Sequence, residues 1–297
     1  MAKYAILLDS TCNLTPELLK EFDLDYIQMS VSIEDKIYPA DLAWGDMTPH
    51  DFYSLMKAGK RPYTQAVNES LFTSTFEKYL NEGMDILYIG CSGGLSASVR
   101  IGAKVAKEEM AKHPDHKIIC IDPCNSGMGQ GLLGIYASEM RAQGKSIDEV
   151  AAWVEQNKLR SYQWGTTGNL TYLKNAGRVK ASAAFFGNII GIKPIILSDD
   201  QGNNVAFKKV RGRKAALDEL VNLVVTTAVD PEHTYLSIDN ADCPETAEEL
   251  KKRIEEKIHF KRVFIVPLGP ILGASCGPDT VIVYHMGGSK QSDFLNK

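Results

Sequence analysis

The order of apolar and polar residues along this chain predicts short strands alternating with helices. Residues 4–8, 86–89 and 117–121 are short, nearly continuous apolar runs, the pattern of strands covered by helices on both faces. Each run ends in small polar residues, beginning at Asp9, Cys91 and Asp122, and each is followed by a helical pattern. Thr15, Thr48 and Ser146 stand where side-chain caps belong, opening helices over 16–22, 49–57 and 147–157, with Asn68 or Ser70 opening another to about 82. A hairpin is expected over 33–38 and an aperiodic loop over 63–68. Strand, loop and helix repeated in this way make a parallel α/β domain, in which ligands sit beyond the carboxyl ends of the strands. The loops beginning at Asp9, Cys91 and Asp122 should therefore share one rim.

The pattern changes after about residue 159. Short helices are expected over 166–174 and 181–190, then a strand over 192–197. The polar turn 198–203 leads into a strand over 205–210, which is the signature of antiparallel pairing. A helix over 212–227, a strand over 234–238 and a helix opened by Asp242 before Pro244 follow. Strands over 262–267 and 280–286 flank a loop over 268–278. The fold class read from this is α/β. An N-terminal parallel-sheet domain spans 1–159, a C-terminal mixed α/β domain spans 160–297, and a ligand is expected between them.

Charge and composition narrow the function. The 33 basic residues are outnumbered by 37 acidic ones, for a formal net charge of −4, so no general basic surface invites nucleic acid. No apolar run has the length needed to span a bilayer, and the opening MAKYAILLDST is too short for a leader, so a cytoplasmic protein is expected. The six cysteines are scattered without a disulfide or zinc spacing, and the six histidines form no ligand pair. Neither a metal nor a cofactor is expected.

The candidate chemistry lies in residues 90–98, almost all Gly, Ser and Ala between a strand and a helix. Helix-end N–H groups and the hydroxyls of Ser92, Ser96 and Ser98 suit an anion. The stretch lacks the Lys of a phosphate-binding P-loop, the Gly-x-Gly-x-x-Gly of dinucleotide folds and the Gly-x-Ser-x-Gly of hydrolases. It is better suited to holding a group than to breaking one, and no catalytic residue is assigned. The alternative is an acyl or phosphoryl transferase or hydrolase using residues 91–96, with Cys91 or Ser92 as nucleophile. Arg178, Arg211 and nearby lysines give the second half a basic character that could dock an acidic or phosphate-bearing partner.

Several short motifs, in order, carry a family resemblance over essentially the whole chain. They are Asp9-Ser10-Thr11, Thr64-Gln65-Ala66-Val67-Asn68, Ser92-Gly93-Gly94-Leu95-Ser96, Ala176-Gly177-Arg178-Val179, Ile192-Lys193-Pro194-Ile195, Val210-Arg211-Gly212-Arg213 and Gly277-Pro278. Together they resemble the DegV family of bacterial fatty-acid-binding proteins, which includes the binding subunits of fatty acid kinase. The resemblance implies a long-chain, palmitate-like fatty acid in a tunnel between two domains. Thr64 and Ser96 would contact the carboxylate, with Ser92, Gly93 and Ser275 nearby. Arg178 and Arg211 would lie on the side that docks a kinase subunit, and the binding protein itself would not be the catalyst. The chain departs from the family pattern at Gln65, Gly93 and Ala97, and at Ser275, which stands where the closing loop usually has His. A serine cannot charge, so this departure implies a weaker pH dependence of ligand binding.

Overall fold

The computed structural model describes residues 3–45, 47–182 and 191–296. The first half supplies strands β1 (Tyr4–Asp9), β2 (Asp25–Ile27), β3 (Ser30–Ile33), β4 (Lys36–Pro39), β5 (Pro62–Gln65), β6 (Asp85–Ile89) and β7 (Ile118–Ile121). Its helices are α1 (Pro16–Glu21), α2 (Pro49–Lys57), α3 (Glu69–Asn81), α4 (Ser98–Lys112), α5 (Met128–Ala142) and α6 (Ile147–Asn157). The second half adds β8 (Ser161–Thr166), β9 (Val179–Lys180), β10 (Ile192–Ser198), β11 (Asn204–Arg211), β12 (Tyr235–Asn240), β13 (Arg262–Pro267) and β14 (Val281–Met286). Helices α7 (Leu170–Ala176), α8 (Arg213–Thr227), α9 (Pro244–Glu255) and α10 (Pro270–Cys276) lie among them.

These strands form three sheets. The first has the order β2-β1-β6-β7 and is parallel throughout, as the apolar runs predict. A small antiparallel sheet has the order β4-β3-β5, and a mixed seven-stranded sheet the order β13-β12-β14-β8-β10-β11-β9. Thr15, Thr48 and Ser146 cap α1, α2 and α6 through their hydroxyls, and Asn68 caps α3 through its side-chain carbonyl. Each satisfies an N–H that the helix itself leaves unpaired.

Helix α5 is buried between the parallel sheet and the seven-stranded one, touching β1 on one side and β8, β12 and β14 on the other. Small residues permit this approach: a Cβ added at Gly131 would lie 2.7 Å from the Cys12 carbonyl oxygen. Direct cross-strand partners set the two faces of the large sheet. Tyr284 stands opposite Gln163, and Ile282 opposite Gly165, on the face turned to α5 and the first half. Trp164, Val281 and Val283 fill the other face with residues of α8 and α9. One apolar cluster joins both halves, running from Leu7 and Tyr88 to Phe264, Ile282 and Tyr284.

Four expectations are corrected. Residues 161–166 form a central strand, where a helix is expected from 166; the helix α7 begins only at Leu170. Residues 62–65 are strand β5 rather than loop, because pairing with β3 supplies the regularity that the local pattern lacks. The closing stretch 268–278 contains the helix α10. Asp242 does not cap α9: it has φ of 58°, and its carboxylate pairs instead with Lys57 at 2.9 Å and His50 at 3.0 Å, both from α2. The helix expected over 181–190 falls mostly on residues 183–190, outside the described ones.

Candidate functional site

A cavity of about 370 Å³ opens between the loops of the first half and the α5-facing side of the large sheet. Three segments bring hydroxyls to it. Thr64 lies on β5 opposite Val31, and strand alternation turns it inward while its neighbour Tyr63 is 55% exposed. Ser96 lies at the start of α4, its Oγ accepting the Ser98 N–H at 3.2 Å and standing 3.0 Å from Ser98 Oγ. Ser98 Oγ in turn accepts the Val67 N–H at 3.2 Å, which clamps the segment after Thr64 to the helix that carries Ser96. Ser275 comes from α10.

The placement of α10 explains how the second half reaches this rim. Tyr53 Oη donates to the Leu268 carbonyl at 2.5 Å, and Asn13 Oδ1 accepts the Gly269 N–H at 3.1 Å. A Cβ on Gly273 would come within 2.4 Å of Tyr53 Oη, so only glycine lets the helix lie this close to α2.

Behind the rim, polar side chains are used up in structure. Asp9 is fully buried and accepts the Tyr88 hydroxyl at 3.0 Å, the Cys91 N–H at 2.6 Å and the Thr11 N–H at 3.0 Å. Gln130 of α5 donates to Asp9 Oδ1 and to the Ile89 carbonyl, at 3.3 and 2.9 Å. Ser10 Oγ accepts the Met29 N–H at 2.8 Å. The loop after β1 thus fixes the carboxyl ends of β1 and β6 against α5, and it reaches the cavity through Thr11.

The other sequence-derived residues separate into two groups. Gly93 lines the cavity, but its N–H donates to Asp122 Oδ2 at 2.9 Å and its carbonyl accepts from Arg100 Nη1 at 2.8 Å. Ser92 is buried outside the lining: its Oγ donates to the Gly202 carbonyl at 2.9 Å and accepts the Gly94 N–H at 3.1 Å. Arg178 lines the cavity and is exposed, with Nη1 donating to the Ala176 carbonyl at 2.7 Å. Arg211 is exposed on β11 and is not part of the lining.

Arg100 also lines the cavity, one turn into the helix after Ser96, and the sequence reading did not single it out. The available signal was its position, a cation within a turn of a serine-rich helix start. Apolar lining comes from Leu173, Ile196, Ile271, Leu272 and Ile282. The chamber therefore combines hydroxyls and two guanidinium groups with a branched aliphatic wall.

Nucleophilic chemistry finds little support in these surroundings. Burial, and then the nearby Asp9 carboxylate, hold the Cys91 thiol well above the ordinary thiol range, which disfavours the reactive thiolate. His285 lies on the opposite face of β14 from the cavity, within ring contact of Tyr162 and Phe260, and burial lowers its pKa to about 4. Among the described residues no group of three or more His, Cys, Asp or Glu is placed to hold a metal ion, and no helix is long and apolar enough to cross a membrane.

The family model for DegV, described as an uncharacterised protein family, matches residues 3–285. This chain belongs to the DegV family. A DegV domain-containing protein of Clostridium perfringens is 34% identical over 291 residues, covering 98% of this chain and all of the relative. A solved DegV family protein from Thermus thermophilus, described by its fatty acid binding, superposes with a TM-score of 0.86 at 21% identity, covering 96% of this chain and 100% of that one. One from Ruminococcus gnavus, refined with vaccenic acid, gives 0.84 at 21% identity over 95% and 99% of the two chains. A stearic acid-binding protein from Eubacterium ventriosum gives 0.84 at 20% identity over 96% and 98%. The DegV fold is thus shared along nearly the full length of each.

Proposed function

We propose that this DegV protein binds a long-chain fatty acid in the cavity between its halves, with Thr64, Ser96 and Ser275 bonding the carboxylate and Arg100 and Arg178 adding positive potential. The observation that carries this reading is the cavity itself, which gathers hydroxyls from three separate elements beside a wall of Leu and Ile. Fatty acids named for the R. gnavus and E. ventriosum relatives support it. Gly93 contributes as backbone shaping the rim, and Ser92 as the support behind it. Residues 1–159 and 160–297 act as the two lobes that enclose the acid.

The energetics suit a binding protein. Each buried CH₂ of a ligand contributes about 0.8 kcal/mol, so the tail supplies most of the affinity. Hydrogen bonds to a charged carboxylate add roughly 1.5 to 3 kcal/mol each and fix its orientation. No chemical step on the protein is needed. We assign the protein to the cytoplasm, where it presents the acid head to a fatty acid kinase subunit that docks beside Arg178 and Arg211.

Displacement of a fluorescent fatty acid tests the reading. Octadecanoic acid should displace the probe, and Thr64→Ala and Ser96→Ala should each weaken it. Unchanged affinity in both variants would remove the assigned head-group site.

A further inference from the structure

Tyr284 carries a hydroxyl for which a simple acyl chain has no use. Its ring is fully buried, it lines the cavity, and its Oη has no hydrogen-bond partner among the described residues. A buried, unpaired hydroxyl costs about 1 to 3 kcal/mol, so phenylalanine would serve a purely aliphatic tail better. The chain nevertheless makes room for the oxygen. Gly127 passes beside it with φ of +61°, and a Cβ there would lie 2.1 Å from Tyr284 Oη. Burial holds the phenol well above its ordinary range, so it is a neutral donor at any working pH.

The surroundings of this hydroxyl are polar in a part of the chamber that also contains Leu272 and Ile282. Ser126, buried and one residue before Gly127, lines the cavity as well. Gln163 stands directly across the ladder from Tyr284, also lines it, and has its Nε2 bonded to Asn204 Oδ1 at 2.5 Å. These groups come from α5 and the large sheet, not from the segments that carry Thr64, Ser96 and Ser275. The chamber thus has a second polar centre apart from the proposed carboxylate site.

We propose that the preferred ligand is a fatty acid bearing a second oxygen along its chain, a hydroxyl or oxo group, which accepts a hydrogen bond from Tyr284 Oη. The inference rests on the fatty acid reading and specifies its ligand. A site that holds a buried donor ready discriminates against analogues lacking the matching acceptor, because those leave the donor unpaired.

The test is competitive displacement of a fluorescent fatty acid by octadecanoic acid and by a series of octadecanoic acids hydroxylated at successive positions. At least one hydroxy acid should bind about tenfold more tightly than the unsubstituted acid, equivalent to about 1.4 kcal/mol. In Tyr284→Phe that ratio should fall to about one. Tight binding of octadecanoic acid with no gain from any hydroxyl position overturns this inference alone and leaves Tyr284 to a trapped water. Failure of every acid to displace the probe overturns the fatty acid reading along with it.

Discussion

Ser92 Oγ donates to the carbonyl of Gly202 at 2.9 Å, joining the loop after β6 to the turn between β10 and β11. Gly202 has φ of +70°, and a Cβ there would lie 1.9 Å from Ser92 Oγ, so the two residues fit only in this form. Gly202→Ala should destabilise the protein by about 2 kcal/mol or more, combining backbone strain with the clash. Ser92→Ala should cost less, about 1 kcal/mol for the lost hydrogen bond. Urea denaturation measures both, and the reverse order would show that the contact does not join the halves.

Head-group binding should respond to Thr64 and Ser96 individually. Loss of one charge-assisted hydrogen bond of roughly 1.5 to 3 kcal/mol corresponds to a fall in affinity of about 10- to 100-fold. Arg100→Met should also weaken binding and reduce its dependence on ionic strength, because it removes one of the cationic groups at the cavity. Titrations at two salt concentrations check both statements.

Ligand affinity should be nearly flat between pH 6 and 8. Thr64, Ser96 and Ser275 carry no group that titrates there. Ser275→His should introduce a step near neutrality, with tighter binding on the acidic side where an imidazolium faces the carboxylate. A steep step in the unmodified protein would contradict the neutral head-group site.

Two buried groups should shape stability against pH in opposite directions. Burial raises the Asp239 pKa to about 7, despite hydrogen bonds from Asn13 Nδ2 at 2.7 Å and Ser237 Oγ at 2.9 Å. The folded state then binds more protons than the unfolded one between about pH 4 and 7, so this group removes stability as pH rises through that window. His285 is lowered to about 4, so the unfolded state binds more protons and stability is lost as pH falls from about 6.5 to 4. The two contributions oppose one another across the shared range. Asp239→Asn should unmask a stability that rises with pH from 4 to 6.5, read from urea midpoints at several pH values. A profile unchanged by that substitution would mean that Asp239 titrates normally.

Much of the first half was legible because its signals are local. The apolar runs that became β1, β6 and β7, and the capping residues Thr15, Thr48, Asn68 and Ser146, act within a few positions of themselves. Strand β8 was not legible. It is buried on both faces between β14 and β10, so residues 161–166 show no polar alternation to mark it. Helix α10 is rich in Pro, Gly and Ser, and its docking against α2, β3 and β5 outweighs that weak local preference.

The candidate site divides along the same line. Motif positions pointed to Thr64, Ser96 and Ser275, which all line the cavity. They could not separate Ser96 from Ser92, four residues away in the same loop, because the partner of Ser92 lies 110 residues along the chain. The lining roles of Arg100 and Tyr284 depend on packing between the halves and left no mark in local pattern.

Mass spectrometry of a denaturing organic extract from the protein purified out of a bacterial host tests the central claim most directly. The account predicts a long-chain fatty acid at close to one per protein, much reduced in Thr64→Ala combined with Ser96→Ala. An extract free of fatty acid, or one carrying a nucleotide in its place, would contradict it.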